Sequence, residues 1–170
     1  MNIAVIGFRG TGKTTVCRLL SERLGYKLIS TDEEIIKYTK MPIQGFIKKF
    51  GWDKFRDRET EVVEKICDYD DCIFDTGGGL VMRNENIVSL KKCSVIVLLT
   101  CDARTIMKRI KESKPKDHKL RSDFLEEITK VMKEREQKYK SCADYAIDTT
   151  QMTPEEATDL IHHYCKVEMQ

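Results

Sequence analysis

The chain has 170 residues, with 30 Lys/Arg against 28 Asp/Glu and a hydrophobic fraction of 41%; one ordinary domain with one core is expected, and a disordered or collagen-like chain is excluded. No apolar run approaches the roughly 18 residues that a bilayer span needs. The opening Met1-Asn2-Ile3-Ala4-Val5-Ile6-Gly7 lacks the charged region and cleavage site of a secretory signal, so a cytoplasmic protein without membrane contact is expected.

In chain order, Ile3-Ala4-Val5-Ile6 is a short apolar run that stops at Gly7, and Val16, Leu19, Leu20 and Leu24 then recur at helical spacing. This reads strand, glycine turn, helix. Lys27-Leu28-Ile29 is a weaker strand, followed by helical stretches near 33–39, 43–49 and 53–67. Cys72-Ile73-Phe74, ahead of Gly77-Gly78-Gly79, and Ser94 to Leu99 read as buried parallel strands, with helices near 84–91 and 103–112 after them. Residues 113–123 are the longest apolar-poor stretch and predict a mobile basic loop; a helix near 122–140 and a last strand at Tyr145-Ala146-Ile147 follow. Thr153-Pro154-Glu155-Glu156 is a helix start, with Thr153 as N-cap, Pro154 at the first helical position and Glu156 closing a capping box. Strands alternating with helices predict an α/β fold: a three-layer α/β/α domain over 1–170 with a five-stranded parallel sheet and ligands at the carboxyl ends of the strands.

Seven cysteines, an odd number without any C-x-x-C pair, argue against a disulfide framework and against a thiolate zinc site. His162, His163 and Cys165 do not share one helix face, so no metal site is expected there. Net charge is too balanced for a nucleic-acid partner, although residues 104–140 hold 13 Lys/Arg against 7 Asp/Glu, which fits either a solvated helix face or a surface that meets phosphates.

Gly7-Phe8-Arg9-Gly10-Thr11-Gly12-Lys13-Thr14 satisfies G-x-x-x-x-G-K-[ST] in the strand-to-helix context that the motif requires. Its backbone N–H groups and the helix N-terminus favour phosphate oxygens. Lys13 is placed to meet the β- and γ-phosphates of ATP, and the Thr14 hydroxyl to meet Mg²⁺. Gly10, Thr11, Gly12 and Thr15 complete the expected nucleotide cradle. The N-K-x-D base-reading motif of signalling GTPases is absent, and the chain is too short for a motor core. A small-molecule kinase is the remaining class.

Beyond the loop, Phe55-Arg56-Asp57-Arg58-Glu59, Gly77-Gly78-Gly79 and Arg135-Glu136-Gln137-Lys138-Tyr139 stand in the order and spacing of F-R-x-x-E, G-G-G and R-x-x-x-Y. From about residue 8 to about 155 the chain resembles the shikimate kinase family, P-loop enzymes related to nucleoside-monophosphate kinases. The resemblance implies transfer of the ATP γ-phosphate to a hydroxyl of shikimate. It implies an acceptor-binding segment near 33–62 and a lid near 112–124. Arg56 and Arg135 match the family's carboxylate-binding arginines, whose planar forks suit bidentate pairing. Gly77, Gly78 and Gly79 match its acceptor cradle, and Asp32 matches the acid that contacts the acceptor hydroxyl. Arg109 matches its adenine-stacking arginine, and Pro154 lies in the segment that flanks the base. On the residues alone, Asp32 also reads as an N-cap and Arg56 as an i,i+3 partner of Glu59.

Two positions depart from the pattern. The family's D-x-D begins here with Ser30, and Asp75, closing an apolar strand beside the P-loop, is expected to supply the missing magnesium carboxylate together with Thr14. The lid lacks R-P-L; Lys116 and Arg121, with Lys119, are the cations left to close over the transferring phosphoryl group. Rival readings are a related kinase acting on a nucleotide or another hydroxy acid, or a kinase-like regulatory protein with weakened turnover. A monomer is expected.

Overall fold

A computed structural model describes residues 1–113 and 124–168 of the chain. Five strands, β1 (Asn2–Ile6), β2 (Lys27–Ser30), β3 (Cys72–Asp75), β4 (Ser94–Thr100) and β5 (Tyr145–Asp148), form one parallel sheet in the order β2-β3-β1-β4-β5. The helices are α1 (Lys13–Leu24), α2 (Thr31–Thr39), α3 (Ile43–Phe50), α4 (Trp52–Ile66), α5 (Asn84–Cys93), α6 (Ala103–Ser113), α7 (Phe124–Cys142) and α8 (Pro154–Glu168). The expected strands and helices are all present. A 3₁₀ turn at Leu80–Met82 was not foreseen, because three apolar residues carry no period.

Both faces of the sheet are covered, which is why its inner strands read as continuous apolar runs. Ile3 and Val5 of β1 pack with Val16 and Leu20 of α1 and Ile161 of α8, whereas Ala4 and Ile6 face Ile35 of α2, Val63 of α4 and Leu90 of α5. Each fully buried Ile or Leu contributes about 1.5–3 kcal/mol. Truncating Leu20, which has no exposed surface, to Ala would cost about 2–5 kcal/mol. A third cluster joins Phe8 of the loop after β1 to Ile106 and Ile110 of α6 and Ile128 of α7, so the phosphate loop rests on its own patch of core.

Helix ends follow local chemistry. Thr153 and Glu156 exchange the two bonds of a capping box at α8, 2.8 and 3.2 Å long. Helix α2 begins two residues earlier than expected, and its cap is Ser30, whose hydroxyl accepts from the Glu33 N–H at 3.3 Å.

One expectation is overturned. Cys67 and Cys93 form a disulfide, with Cα atoms 5.4 Å apart and a sequence separation of 26. They meet because the C-terminal ends of α4 and α5 lie side by side, a juxtaposition that no local spacing marks. Cys17, Cys72, Cys101, Cys142 and Cys165 are free thiols and buried, as small hydrophobic residues would be. Of the expected lid, residues 114–123, with Lys116, Lys119 and Arg121, lie outside the described residues.

Candidate active site

Three strands end in a row at the carboxyl edge of the sheet. Val5 is the register partner of Asp75, and Asp75 is in turn the partner of Ser30. The loops that leave β1, β3 and β2 therefore start side by side, and the phosphate loop, the glycine run and Asp32 issue from this edge.

The loop between β1 and α1 is shaped by its own bonds. The Phe8 carbonyl accepts from the Thr11 N–H at 3.4 Å, the Thr11 hydroxyl at 2.8 Å and the Lys13 ammonium at 3.0 Å. Gly12 enters α1 at φ 97°, a left-handed conformation that disfavours any side chain. Lys13 is buried, and burial holds its pKa below the ordinary lysine value, with the Asp75 carboxylate opposing that effect. Next to it, the Thr14 hydroxyl donates to Asp75 Oδ2 at 2.7 Å. Burial pushes the Asp75 carboxyl above its usual range, against the bond from Thr14 and the charge of Lys13. Two oxygen donors on adjacent elements, one anionic, are the hard ligands that Mg²⁺ takes beside substrate phosphates. The Ser30 hydroxyl is instead engaged as the cap of α2.

Two cavities open on this edge. The larger, about 1110 Å³, is lined by Gly10, Thr11, Gly12, Lys13, Thr14 and Thr15, with Asp75, Arg109, Thr149 and Pro154 farther along. Arg109 is tethered there, donating to the Gly10 carbonyl at 3.3 Å and to the Thr149 carbonyl at 2.8 Å. The smaller cavity, about 400 Å³, lies between α3, α4, α7 and the glycine run, and Trp52, Arg56, Glu59, Gly77, Gly78, Gly79 and Arg135 line it. Arg9, Asp32, Gly77 and Gly78 line both. The cavities therefore share one mouth.

Within the smaller cavity, the two readings of Arg56 are compatible. Arg56 pairs with Glu59 one turn on and also faces the cavity, its side chain 14% exposed and that of Glu59 1%. Burial raises the Glu59 pKa, with Arg56 acting against the rise. Asp32 is free of the capping duty that Ser30 performs, and its carboxyl is pushed up by burial and then by the nearby Asp75 charge. Arg135 donates to the Gly78 carbonyl at 3.0 Å, and the buried Tyr139 hydroxyl donates to the same oxygen. Each glycine of the run faces something different, and only Gly77 and Gly79 leave no room for a side chain. A Cβ on Gly77 would lie 2.8 Å from an Asp32 oxygen and 3.1 Å from one of Glu59; on Gly78 it would meet the Arg9 amide and the Gly7 carbonyl, both at 3.5 Å; on Gly79 it would fall 2.6 Å from the Arg56 guanidinium carbon.

A family model described as shikimate kinase matches residues 9–166. The chain belongs to the shikimate kinase family. A shikimate kinase of Caldicellulosiruptor bescii is 38% identical over 160 residues, covering 94% of this chain and 92% of that one. Another, of Pelotomaculum thermopropionicum, is 38% identical over 165 residues, covering 97% and 95%. Among solved structures, the Acinetobacter baumannii shikimate kinase in complex with shikimate superposes with a TM-score of 0.89 at 28% identity, covering 98% of this chain and 93% of that chain. The Aquifex aeolicus shikimate kinase gives 0.82 at 28%, covering 99% and 98%. The five-stranded parallel sheet and its flanking helices are thus those of the shikimate kinase fold.

Two participants in this shikimate kinase site were not assigned from sequence. Tyr139 was visible as the last letter of R-x-x-x-Y, but its bond to Gly78 spans 61 residues and has no local signal. Arg9 was a variable letter inside the P-loop motif; its place at the shared mouth depends on α7 packing over the loop.

Proposed function

We propose that the protein transfers the γ-phosphoryl group of ATP to a hydroxyl of shikimate, giving shikimate 3-phosphate and ADP, as a cytoplasmic enzyme acting on a small molecule. The observation that carries this reading is the shared mouth of two cavities, one walled by a phosphate loop and the other by a pair of arginines. ATP in the larger cavity would lay its phosphates along the Gly10–Thr15 backbone, with Lys13 on the transferring group and the base between Arg109 and Pro154. Shikimate in the smaller cavity would place its carboxylate on Arg56 and Arg135, whose forks suit bidentate pairing. Its ring would lie against Gly77, Gly78 and Gly79, and a hydroxyl would point to Asp32.

Asp32 then aligns the nucleophile. The bond between the γ-phosphorus and its bridging oxygen breaks, a bond from phosphorus to the acceptor oxygen forms, and the hydroxyl proton leaves by way of Asp32 to solvent. Such a transfer asks mainly for alignment and neutralisation of charge. Thr14 and Asp75 would hold Mg²⁺, which, when bound, neutralises charge on the β- and γ-phosphates. Asp75 takes over the carboxylate that Ser30 lacks, a replacement supported by their being register partners on adjacent strands. Helices α2–α4 provide the acceptor-binding segment. Lys116 and Arg121 remain the proposed lid cations.

A coupled ADP-release assay with shikimate, a panel of nucleoside monophosphates and other hydroxy acids tests the reading. Turnover with shikimate alone is expected. Preference for a nucleoside monophosphate, or nucleotide binding without turnover of any acceptor, would overturn it.

A further inference from the structure

Among the described residues, five cations stand around the two cavities, and four are committed. Lys13 is bonded to Phe8, Arg56 to Glu59, Arg135 to Gly78, and Arg109 to Gly10 and Thr149. Arg9 is different. Among the described residues its guanidinium has no hydrogen-bond or ion-pair partner and rests on aromatic faces, 5.3 Å from the Phe124 ring centre and 6.0 Å from that of Phe8. Stacking of this kind orients a guanidinium while leaving its N–H groups unspent.

Its backbone is fixed. Arg9 and Gly10 are the central residues of the tight turn that the Thr11-to-Phe8 bond closes, and Phe8 is anchored in the core beneath. Position then separates Arg9 from the other arginines: Arg56 and Arg135 line the acceptor cavity alone and Arg109 the nucleotide cavity alone, whereas Arg9 lines both. A phosphoryl group passing from one cavity to the other crosses the mouth where Arg9 stands.

We infer that Arg9 is a catalytic residue, supplying the guanidinium that stabilises the charge on the phosphoryl group in transit, a role for which the lid of this chain has no R-P-L arginine. The inference rests on the shikimate kinase reading above for the identity of the acceptor. The transferred group leaves the ADP oxygen and joins the acceptor oxygen while Arg9 donates hydrogen bonds to its equatorial oxygens; no proton moves to or from Arg9, whose guanidinium stays charged throughout. Because those bonds are strongest in transit, their loss should appear in kcat and leave ground-state binding in place.

The test compares wild type, Arg9→Ala and Arg9→Lys by steady-state kinetics, by calorimetric titration of shikimate and of MgADP, and by the affinity of the MgADP–fluoroaluminate complex, which resembles the group in transit. For Arg9→Ala, kcat should fall about 10²-fold or more, shikimate and MgADP should bind within about threefold of wild type, and the fluoroaluminate complex should weaken in step with kcat. Arg9→Lys should recover only part of the loss, since a point charge cannot span two oxygens. A weakened shikimate affinity with kcat retained would make Arg9 a third carboxylate arginine and overturn the inference, as would unchanged kinetics. If the wild type fails to phosphorylate shikimate, the acceptor assignment falls instead. The role of Arg9 is then read on the fluoroaluminate complex without acceptor, where equal affinity in wild type and Arg9→Ala overturns it.

Discussion

Replacing Arg56 with Ala should weaken shikimate binding without touching MgATP binding. The side chain is largely buried and faces the acceptor cavity, so its loss removes a charge-assisted fork from a desolvated carboxylate, an effect of about 2–5 kcal/mol. Arg135 remains on the same cavity, which places the expected loss in the lower part of that range, about 30- to 300-fold in dissociation constant. Arg56→Lys should recover little, because an ammonium cannot make two parallel bonds. The same substitution orphans Glu59, a carboxylate with 1% exposure whose pKa burial already raises against the pull of Arg56. Without that pull its pKa rises further, and Glu59 takes up a proton at a higher pH than in the wild type. The stability cost of that orphaned acid should be relieved in Arg56→Ala/Glu59→Gln, while shikimate binding stays lost, so the binding effect separates from the folding effect. The assay is internal: Trp52, the only tryptophan, is 59% exposed and has the Arg56 guanidinium carbon 5.3 Å from its ring. Its emission should shift as shikimate fills the cavity in wild type and fail to shift at the same concentrations in the Ala variant. An unaltered dissociation constant in Arg56→Ala, or full rescue by Lys, would refute the placement of the carboxylate.

Lys13→Ala should abolish turnover while circular dichroism and thermal unfolding show a folded protein, because the ammonium is bonded to the Phe8 carbonyl rather than packed in the apolar core; turnover comparable to wild type would remove the P-loop assignment. Asp75→Asn should raise the Mg²⁺ concentration needed for half-maximal turnover, and adding Ser30→Asp should lower it again in part, since the two positions are register partners; an unchanged magnesium requirement in Asp75→Asn defeats the replacement. Activity should fall on the acid side at a pH above the ordinary carboxylate value of about 3.9, because burial and Asp75 both raise the Asp32 pKa and only the deprotonated form accepts from the acceptor hydroxyl. In Asp75→Asn that acid limb of the pH–rate profile should move to lower pH, and an unmoved limb would assign it to another group.

Much of the fold was legible because its signals are local. Strand β1 and the phosphate loop lie within fourteen residues, and the capping box of α8 is complete within four. F-R-x-x-E works for the same reason: Arg56 and Glu59 are one helical turn apart, and burial fixes their pairing. Asp32 shows the limit. Its sequence fits a cap as well as a catalytic acid, and only the bond from the Glu33 N–H to Ser30 shows that the cap lies elsewhere. Non-local meetings were invisible: the Cys67–Cys93 disulfide, the Tyr139 bond to Gly78, and Arg9 reaching Phe124 across 115 residues. Each depends on helices packing, which no window of residues encodes.

The glycine run after β3 looks in sequence like one uniform signal, yet its three members face three different neighbours. At Gly77 the reserved space belongs to the two carboxylates and at Gly79 to the Arg56 guanidinium, whereas at Gly78 a Cβ would only touch the backbone of the phosphate loop. A methyl group at the first would push on acids and at the third on a guanidinium able to swing aside only by leaving Glu59, while at the second it would sit in ordinary contact with its neighbours. A single added methyl, moved one residue at a time, therefore presses on the Asp32 and Glu59 carboxylates, is accommodated beside the phosphate loop, or displaces the Arg56 guanidinium.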